Sequence, residues 1–312
     1  VNLLVRSPGR IRPALDPLGV GEVDHVTGDV TDVPSIERAL EGCDAVLHAA
    51  SVFSLDPRQA KAIRSINVAG TESVIATGRR LGLDPIVHVS SYGAQMGQVG
   101  AVLGPDSPPT HPRGVYVSSK AESDRVARRH QDEGAPVVIT YPGGVYGPHD
   151  PHWGESAQIV SNALHGFYRF MPRGRLAISD ARDIARLHAA VMAQGKGPRR
   201  YMGTAVALDG PALIALLSSL TGRKLRTTQI PFGAVYYPLI LLDALNRLLP
   251  FRFPLNAEAT WILGRAHTID DSRTREEFGI EPRPVEQTLE EMIRWMVSTG
   301  RLKPKLAGKL AE

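Results

Sequence analysis

The sequence predicts an α/β protein, with a doubly wound parallel sheet followed by a smaller, mainly helical substrate lobe. Three observations predict it. Short apolar runs alternate with helix-length segments from Leu3 to Tyr141, the order that right-handed βαβ crossovers into a parallel sheet produce. Prolines, glycines and histidines then crowd residues 147–154, a loop rather than an element. Beyond it, amphipathic helical patterns dominate. Residues 1–147 therefore read as the parallel-sheet domain and 148–312 as mainly a second lobe, with 175–205 partly returning to the sheet.

Each element has its own signature. Leu3 to Val5 and Val23 to Val26 are strand patterns, and Pro34 to Glu41 makes a short helix with proline where a helix start tolerates it. Ala45 to His48 is a strand. Gln59 to Arg80 is one long helix ended by Gly82. Ile86 to Val89 is the next strand, Ser119 to Gln131 a helix, and Val137 to Tyr141 a strand. In the lobe, Leu213 to Leu220, Tyr236 to Leu249 and Leu289 to Val297 are helical, and the tail from Arg301 with its three lysines reads as a frayed, solvated end.

Composition excludes several classes. Lys and Arg (36) exceed Asp and Glu (32) by only four, and no run of five like charges occurs, so no nucleic-acid partner is expected. Cys43 is the single cysteine, which excludes an internal disulfide and thiolate zinc and fits a reducing compartment. The first six residues carry no signal-peptide pattern, and the apolar stretch Phe232 to Leu242 is too short to span a bilayer. A cytoplasmic protein without a transmembrane segment, acting on a small-molecule substrate, is the expectation.

The chemistry concentrates in Tyr116-Val-Ser-Ser-Lys120, which sets a phenol and an ammonium on one helix face. A free tyrosine titrates near ~10. A lysine one turn away favours the phenolate and is expected to bring that value down, so that the phenol can exchange a proton with a carbonyl or alcohol oxygen. Upstream, the strand Ile86 to Val89 ends in Ser90-Ser91. Ligands of doubly wound sheets sit at the carboxyl ends of strands, and a hydroxyl there can support charge on the same oxygen. Taken separately, the serines begin a turn and the Tyr/Lys pair decorates a helix. Together, in this order, they point to catalysis.

With these residues the sequence resembles the extended short-chain dehydrogenase/reductases, the NAD-dependent epimerase/dehydratase family. The matching stretches include Gly28 to Asp32, Val46 to Ala50, Asn67 to Thr71, Val89 to Ser91, Tyr116 to Lys120, Tyr141 to Pro148 and Asp180 to Ala185. The resemblance implies a Rossmann-type sheet and a nicotinamide dinucleotide. It assigns Ser91, Tyr116 and Lys120 to the catalytic triad, with Tyr116 and Lys120 also against the cofactor. Asp29 and Val30 match the loop beside the adenine; His48, Ala49, Ala50 and Ser90 match strand ends lining the cofactor. Asn67 matches a buttress on the cofactor side, and Pro142, Gly143 and Val145 the loop at the carboxamide. Ser91, Tyr92, Gly144 and His149 fall where a substrate would bind. No metal is implied.

Two departures narrow the reading. No glycine-rich G-x-x-G-x-x-G turn occurs, so the alignment starts at the second strand. The first strand of the sheet is expected to be missing, leaving a gap beside Leu3 to Val5, as in a fragment or a wrongly assigned start. Tyr92-Gly93 replaces the acidic pair of sugar-nucleotide dehydratases, Gly144 replaces an asparagine of many nucleotide-sugar members, and Tyr141 replaces an arginine. These changes point to the dihydroflavonol-reductase-like and 3β-hydroxysteroid-dehydrogenase-like branch.

The expected activity is thus NAD(P)-dependent interconversion of a ketone and a secondary alcohol on a small, fairly apolar substrate. The alternatives are an NAD-dependent sugar-nucleotide epimerase and a non-catalytic redox sensor. At the end of the first apparent strand stands Arg6, basic where NAD-preferring folds place an acid, which favours NADP while leaving NAD open. The competing reading of Arg6 is a solvated surface arginine, and of Asp29 a turn or capping residue. Asp183 reads as a helix cap, and His149, Asp150 and His152 as a polar lid loop rather than metal ligands. A homodimer packing the helices Gln59 to Arg80 and Ser119 to Gln131 is implied by the resemblance alone.

Overall fold

The computed structural model describes residues 1–53, 57–246 and 257–311. Four parallel strands form the central sheet, in the spatial order Arg199–Met202, Val137–Tyr141, Ile86–Val89, Val46–His48. The middle strands are mostly apolar and almost wholly buried because both faces are covered. Ile86 and Ile139 pack with Val74, Val117 and Ala127 on one side, while Val87 and Val138 pack with Leu187, Val191 and Tyr201 on the other.

Asn2–Val5 does not join this sheet. Among the described residues it pairs only with Asp24–Thr27, in parallel. Val46–His48 likewise pairs, among those residues, only with Ile86–Val89, so two strand edges face each other across a cleft of about 1100 Å³ lined by Leu3, Leu4, Val46, Leu47 and Val74. This is the gap expected beside Leu3 to Val5. Its consequence is visible in Leu47, a strand residue that is 43 % exposed.

Beyond Tyr141 the chain builds a second sheet, Val206–Asp209 antiparallel to Arg175–Asp180, which runs parallel to Gly144–Tyr146. Arg199–Met202 returns to the central sheet beside Val137–Tyr141, whereas Arg175–Asp180 does not. The helices Glu155–Leu164, Gly210–Thr221 and Val285–Ser298 close a separate core around Leu213, Leu217, Leu289 and Met292.

Four expectations need correction. The segment Gln59 to Arg80 is not uniform: α-helix Ala60–Arg64 passes through a π-helical stretch, Ser65–Ala69, into α-helix Gly70–Arg80. The helix expected from Ser119 starts at Val115. Asp180, not Asp183, caps the helix Ala181–Ala190 by accepting from the Arg182 amide at 2.8 Å, while Asp183 is buried and accepts from the Arg283 amide at 2.7 Å. The tail is not frayed: Leu302, Leu306 and Leu310 recur every four residues and are buried in the lobe core, leaving the lysines outside. The apolar segment from Phe232 forms a helix through Asn246; Arg247, Leu249 and Arg252 lie outside the described residues. Among the described residues no helix is long and apolar enough to cross a membrane.

Candidate active site

The catalytic candidates converge at the carboxyl end of the central sheet. Ser91 follows the strand Ile86–Val89 and caps the 3-10 turn Tyr92–Gln95, its Oγ accepting from the Gly93 amide at 3.1 Å. The turn reading of this serine is therefore correct, and the hydroxyl proton stays available. Gly93 is needed there, since a Cβ would lie 3.3 Å from both Ser91 Oγ and a Val117 methyl. The Tyr92 amide donates to the Pro142 carbonyl at 3.1 Å, which ties the Ser91 turn to the Pro142–Gly143 loop. Gly143 in turn donates to Ser179 Oγ at 3.2 Å.

Tyr116 sits in the first turn of the helix Val115–Asp132, half-buried, with its ring edge-on to Phe53 at 4.4 Å between centroids. Burial pushes its phenol well above the ordinary value, and the nearby Glu258 and Tyr92 add to the shift. This is opposite in sign to the expectation that Lys120 lowers it. The ammonium of Lys120 is buried one turn deeper, donating to the Val89 carbonyl at 3.2 Å. Burial lowers its pKa to about 8, against the pull of Asp124. Tyr92, also held in apolar surroundings, is pushed up to about 12 by burial.

Asn67 is the best-satisfied of the predicted residues. Its Oδ1 accepts from the Val52 amide at 2.7 Å, and its Nδ2 donates to the Val52 carbonyl and to Ser119 Oγ, both at 3.0 Å. It thereby links the π-helical stretch, the chain leaving the strand Val46–His48, and the helix Val115–Asp132. Ala49 and Ala50 are exposed along the cleft. His48 lies at its edge but turns inward, its Nε2 3.2 Å from Thr71 Oγ1 and its ring stacked on His88 at 5.6 Å. Burial drops His48 to about 4 and holds His88 far below the usual range. Ser90 also faces inward, donating to Asp124 Oδ1 at 3.1 Å.

At the other end, Arg6, Ser7 and Arg10 line a cleft of about 470 Å³. Arg6 reaches Asp29 at 4.0 Å with its side chain largely in solvent. Asp29 forms the expected turn, accepting from the Thr31 amide and hydroxyl at 2.9 and 2.8 Å, and these bonds, the amide first, with Arg6 hold its carboxyl below the usual value. Val30 is buried against Gly70, where a Cβ would come within 2.7 Å of its methyl. Val145 is exposed, and His149 packs its ring near Trp295 at 6.4 Å, on the lobe. Asp150 accepts from the His152 and Gly154 amides at 2.9 and 2.6 Å, a loop-shaping role.

Two features escaped the sequence reading. Arg128 bridges Asp124 Oδ2 at 2.8 Å and the Tyr141 hydroxyl at 2.7 Å, so an arginine from the helix that carries Tyr116 reaches the tyrosine that stands in an arginine's place. The (i, i+4) spacing of Asp124 and Arg128 was a usable signal. Glu258 was not detectable, because its partners lie far away in sequence.

For a nicotinamide dinucleotide the residues present fit at both ends. Lys120 keeps N–H donors beyond its one protein acceptor among the described residues, and the Arg6–Arg10 cleft offers guanidinium groups where strand ends meet solvent.

Comparison with known proteins gives the same fold. The chain is 27 % identical over 93 % of its length to sterol demethylase protein B of Methylococcus capsulatus, covering 88 % of that protein. It is 26 % identical over 97 % of its length to a putative dihydroflavonol 4-reductase of Synechocystis, covering 89 % of it. In fold it matches the dTDP-glucose 4,6-dehydratase DesIV of Streptomyces venezuelae, solved with NAD, at a TM-score of 0.72 and 23 % identity over 97 % of this chain and 89 % of that one. The NAD-dependent epimerase/dehydratase family model matches residues 6–202. The chain belongs to that family and is an enzyme of the extended short-chain dehydrogenase/reductase type.

Proposed function

We propose that this enzyme is an NAD(P)-dependent oxidoreductase that interconverts a ketone and a secondary alcohol on an apolar substrate. The observation that carries this reading is the setting of Tyr116: its phenol is flanked by Phe53 and Tyr92 and held protonated by burial. Such apolar surroundings suit an apolar carbonyl compound and a neutral proton donor. The bound dinucleotide supplies or accepts the hydride. Tyr116 passes the proton to or from the substrate oxygen, Ser91 donates a hydrogen bond to that oxygen, and Lys120 holds ribose hydroxyls while its charge favours the phenolate once formed.

Gly144 supports the same choice against a sugar nucleotide. A Cβ there would lie 3.2 Å from both the Ala177 carbonyl and the Tyr146 ring, so the asparagine of nucleotide-sugar enzymes would be crowded. The printed names of two relatives, a dihydroflavonol 4-reductase and a ketoreductase of Stigmatella aurantiaca acting on a farnesylated quinoline oxide, point the same way.

The test is turnover of a panel of alicyclic and aryl ketones with NADPH and NADH, alongside epimerisation of UDP-glucose. Ketone reduction that falls by roughly 10²- to 10⁴-fold in Tyr116→Phe, with dinucleotide affinity retained, is the expected result. Epimerisation without ketone reduction would replace this reading with the sugar-nucleotide one.

A further inference from the structure

The catalytic helix Val115–Asp132 starts without a cap of its own. The residue before it is Gly114, which has no side chain to accept from the first amides. An isolated helix with this start leaves its first-turn N–H groups unpaired, in the turn that carries Tyr116. Here a carboxylate arrives from the other end of the sequence. Glu258, in the helix Ala257–Gly264, accepts from the Val115 amide at 2.9 Å through Oε2 and from the Val117 amide at 3.0 Å through Oε1.

Three further observations show that this contact is built. Glu258 is 8 % exposed, and no basic side chain pairs with it among the described residues. Gly114 has φ 131°, and a Cβ there would stand 2.3 Å from the Glu258 carboxyl carbon. The glycine thus removes both the rival cap and the obstruction. Finally, the negative charge lies close enough to Tyr116 to disfavour its phenolate.

We propose that Glu258 is a positioning residue for the proton-transfer step, capping the helix that carries Tyr116 from the helix Ala257–Gly264 and setting a carboxylate near the Tyr116 phenol. The arrangement holds the phenol in its donor form and so favours the direction of carbonyl reduction. It also makes correct placement of Tyr116 depend on docking of the lobe helix. The charged and titratable groups around the pair are Tyr92 on the facing turn, Asp243 beside Glu258, and Lys120 on Tyr116's own helix. The role rests on Tyr116 being the proton donor, as proposed above.

The experiment compares Glu258→Gln, Glu258→Ala and Tyr116→Phe in the full chain. Hydrogen exchange of the Val115, Tyr116 and Val117 amides needs no cofactor: protection should fall at least 10-fold in Glu258→Ala, with other helices unchanged. In ketone reduction, Glu258→Gln should lower kcat more than it changes KM. It should also lower the pH at which the Tyr116 phenol ionises, read as the tyrosinate absorbance that Tyr116→Phe lacks, because removing the charge eases phenol ionisation. A structural role alone would not move that ionisation. If Glu258→Ala fails to fold, Glu258→Gln carries both readouts. Unchanged exchange and an unchanged phenol ionisation, with Tyr116→Phe inactive, would overturn the role of Glu258 alone. Full activity in Tyr116→Phe would overturn the catalytic reading instead.

Discussion

Arg6 holds its guanidinium mostly in solvent, 4.0 Å from Asp29, with Arg10 lining the same cleft. An ion pair that long and exposed contributes little, under about 1 kcal/mol, so a ligand phosphate can displace it readily. A ribose 2′-phosphate would meet two guanidinium groups, which bind phosphate oxygens in charge-assisted pairs. A 2′-hydroxyl would find the Asp29 carboxylate instead. Arg6→Ala should therefore weaken NADPH binding by about 10- to 30-fold, or roughly 1.4–2 kcal/mol, and leave NADH within about threefold. Parallel fluorescence titrations decide it: equal loss for both dinucleotides would reduce Arg6 to a general surface charge.

At the scale of elements, Asn67 latches three of them. The π-helical stretch Ser65–Ala69 is where the segment 60–80 departs from α-geometry, and Asn67 sits in its middle, buried. Such insertions occur disproportionately at functional sites. Its partner Ser119 passes the contact on, donating to the Tyr116 carbonyl at 2.7 Å, while Ser123 reaches the Asn67 carbonyl at 2.7 Å. Asn67→Ala would strand the Val52 amide and carbonyl in a part-buried place. At about 1–3 kcal/mol per unpaired group, the two groups together should cost about 2–6 kcal/mol. Urea unfolding measures it, and a change below about 1 kcal/mol would mean that water replaces the latch without cost.

At the scale of the molecule, buried bases couple the sheet to pH. His48 and His88 lie side by side in the central sheet, and burial lowers both; His48 falls to about 4. Between about pH 4 and 6.5 the unfolded chain binds a proton at His48 that the native protein does not, so stability rises with pH across that window. The His48 contribution lost at the acid end is on the order of 3 kcal/mol. Lys120, at about 8, adds a second rise between pH 8 and its ordinary value. Unfolding free energies at pH 4.5 and 7 should differ by less in a His48→Asn variant than in the native chain. An equal difference in both would assign the acid sensitivity elsewhere.

Most of the parallel strands, the Tyr116–Lys120 pair, the Ser91 strand end and the gap beside Leu3 to Val5 were legible in the sequence. The strands, the pair and the serine follow from alternation and spacing, which are properties of neighbouring residues, and the gap from the family resemblance, whose glycine-rich turn is missing. The inward turn of His48 and Ser90, the folded tail at Leu302, Leu306 and Leu310, the π-helical stretch and the Glu258 cap were not. Each depends on which side chain fills a space offered by a distant part of the chain. The direction of the Tyr116 shift shows the same division most sharply. Spacing placed a lysine beside the phenol, but burial together with a carboxylate from the second lobe governs its proton, because desolvation and long-range charge exist only once the chain has packed.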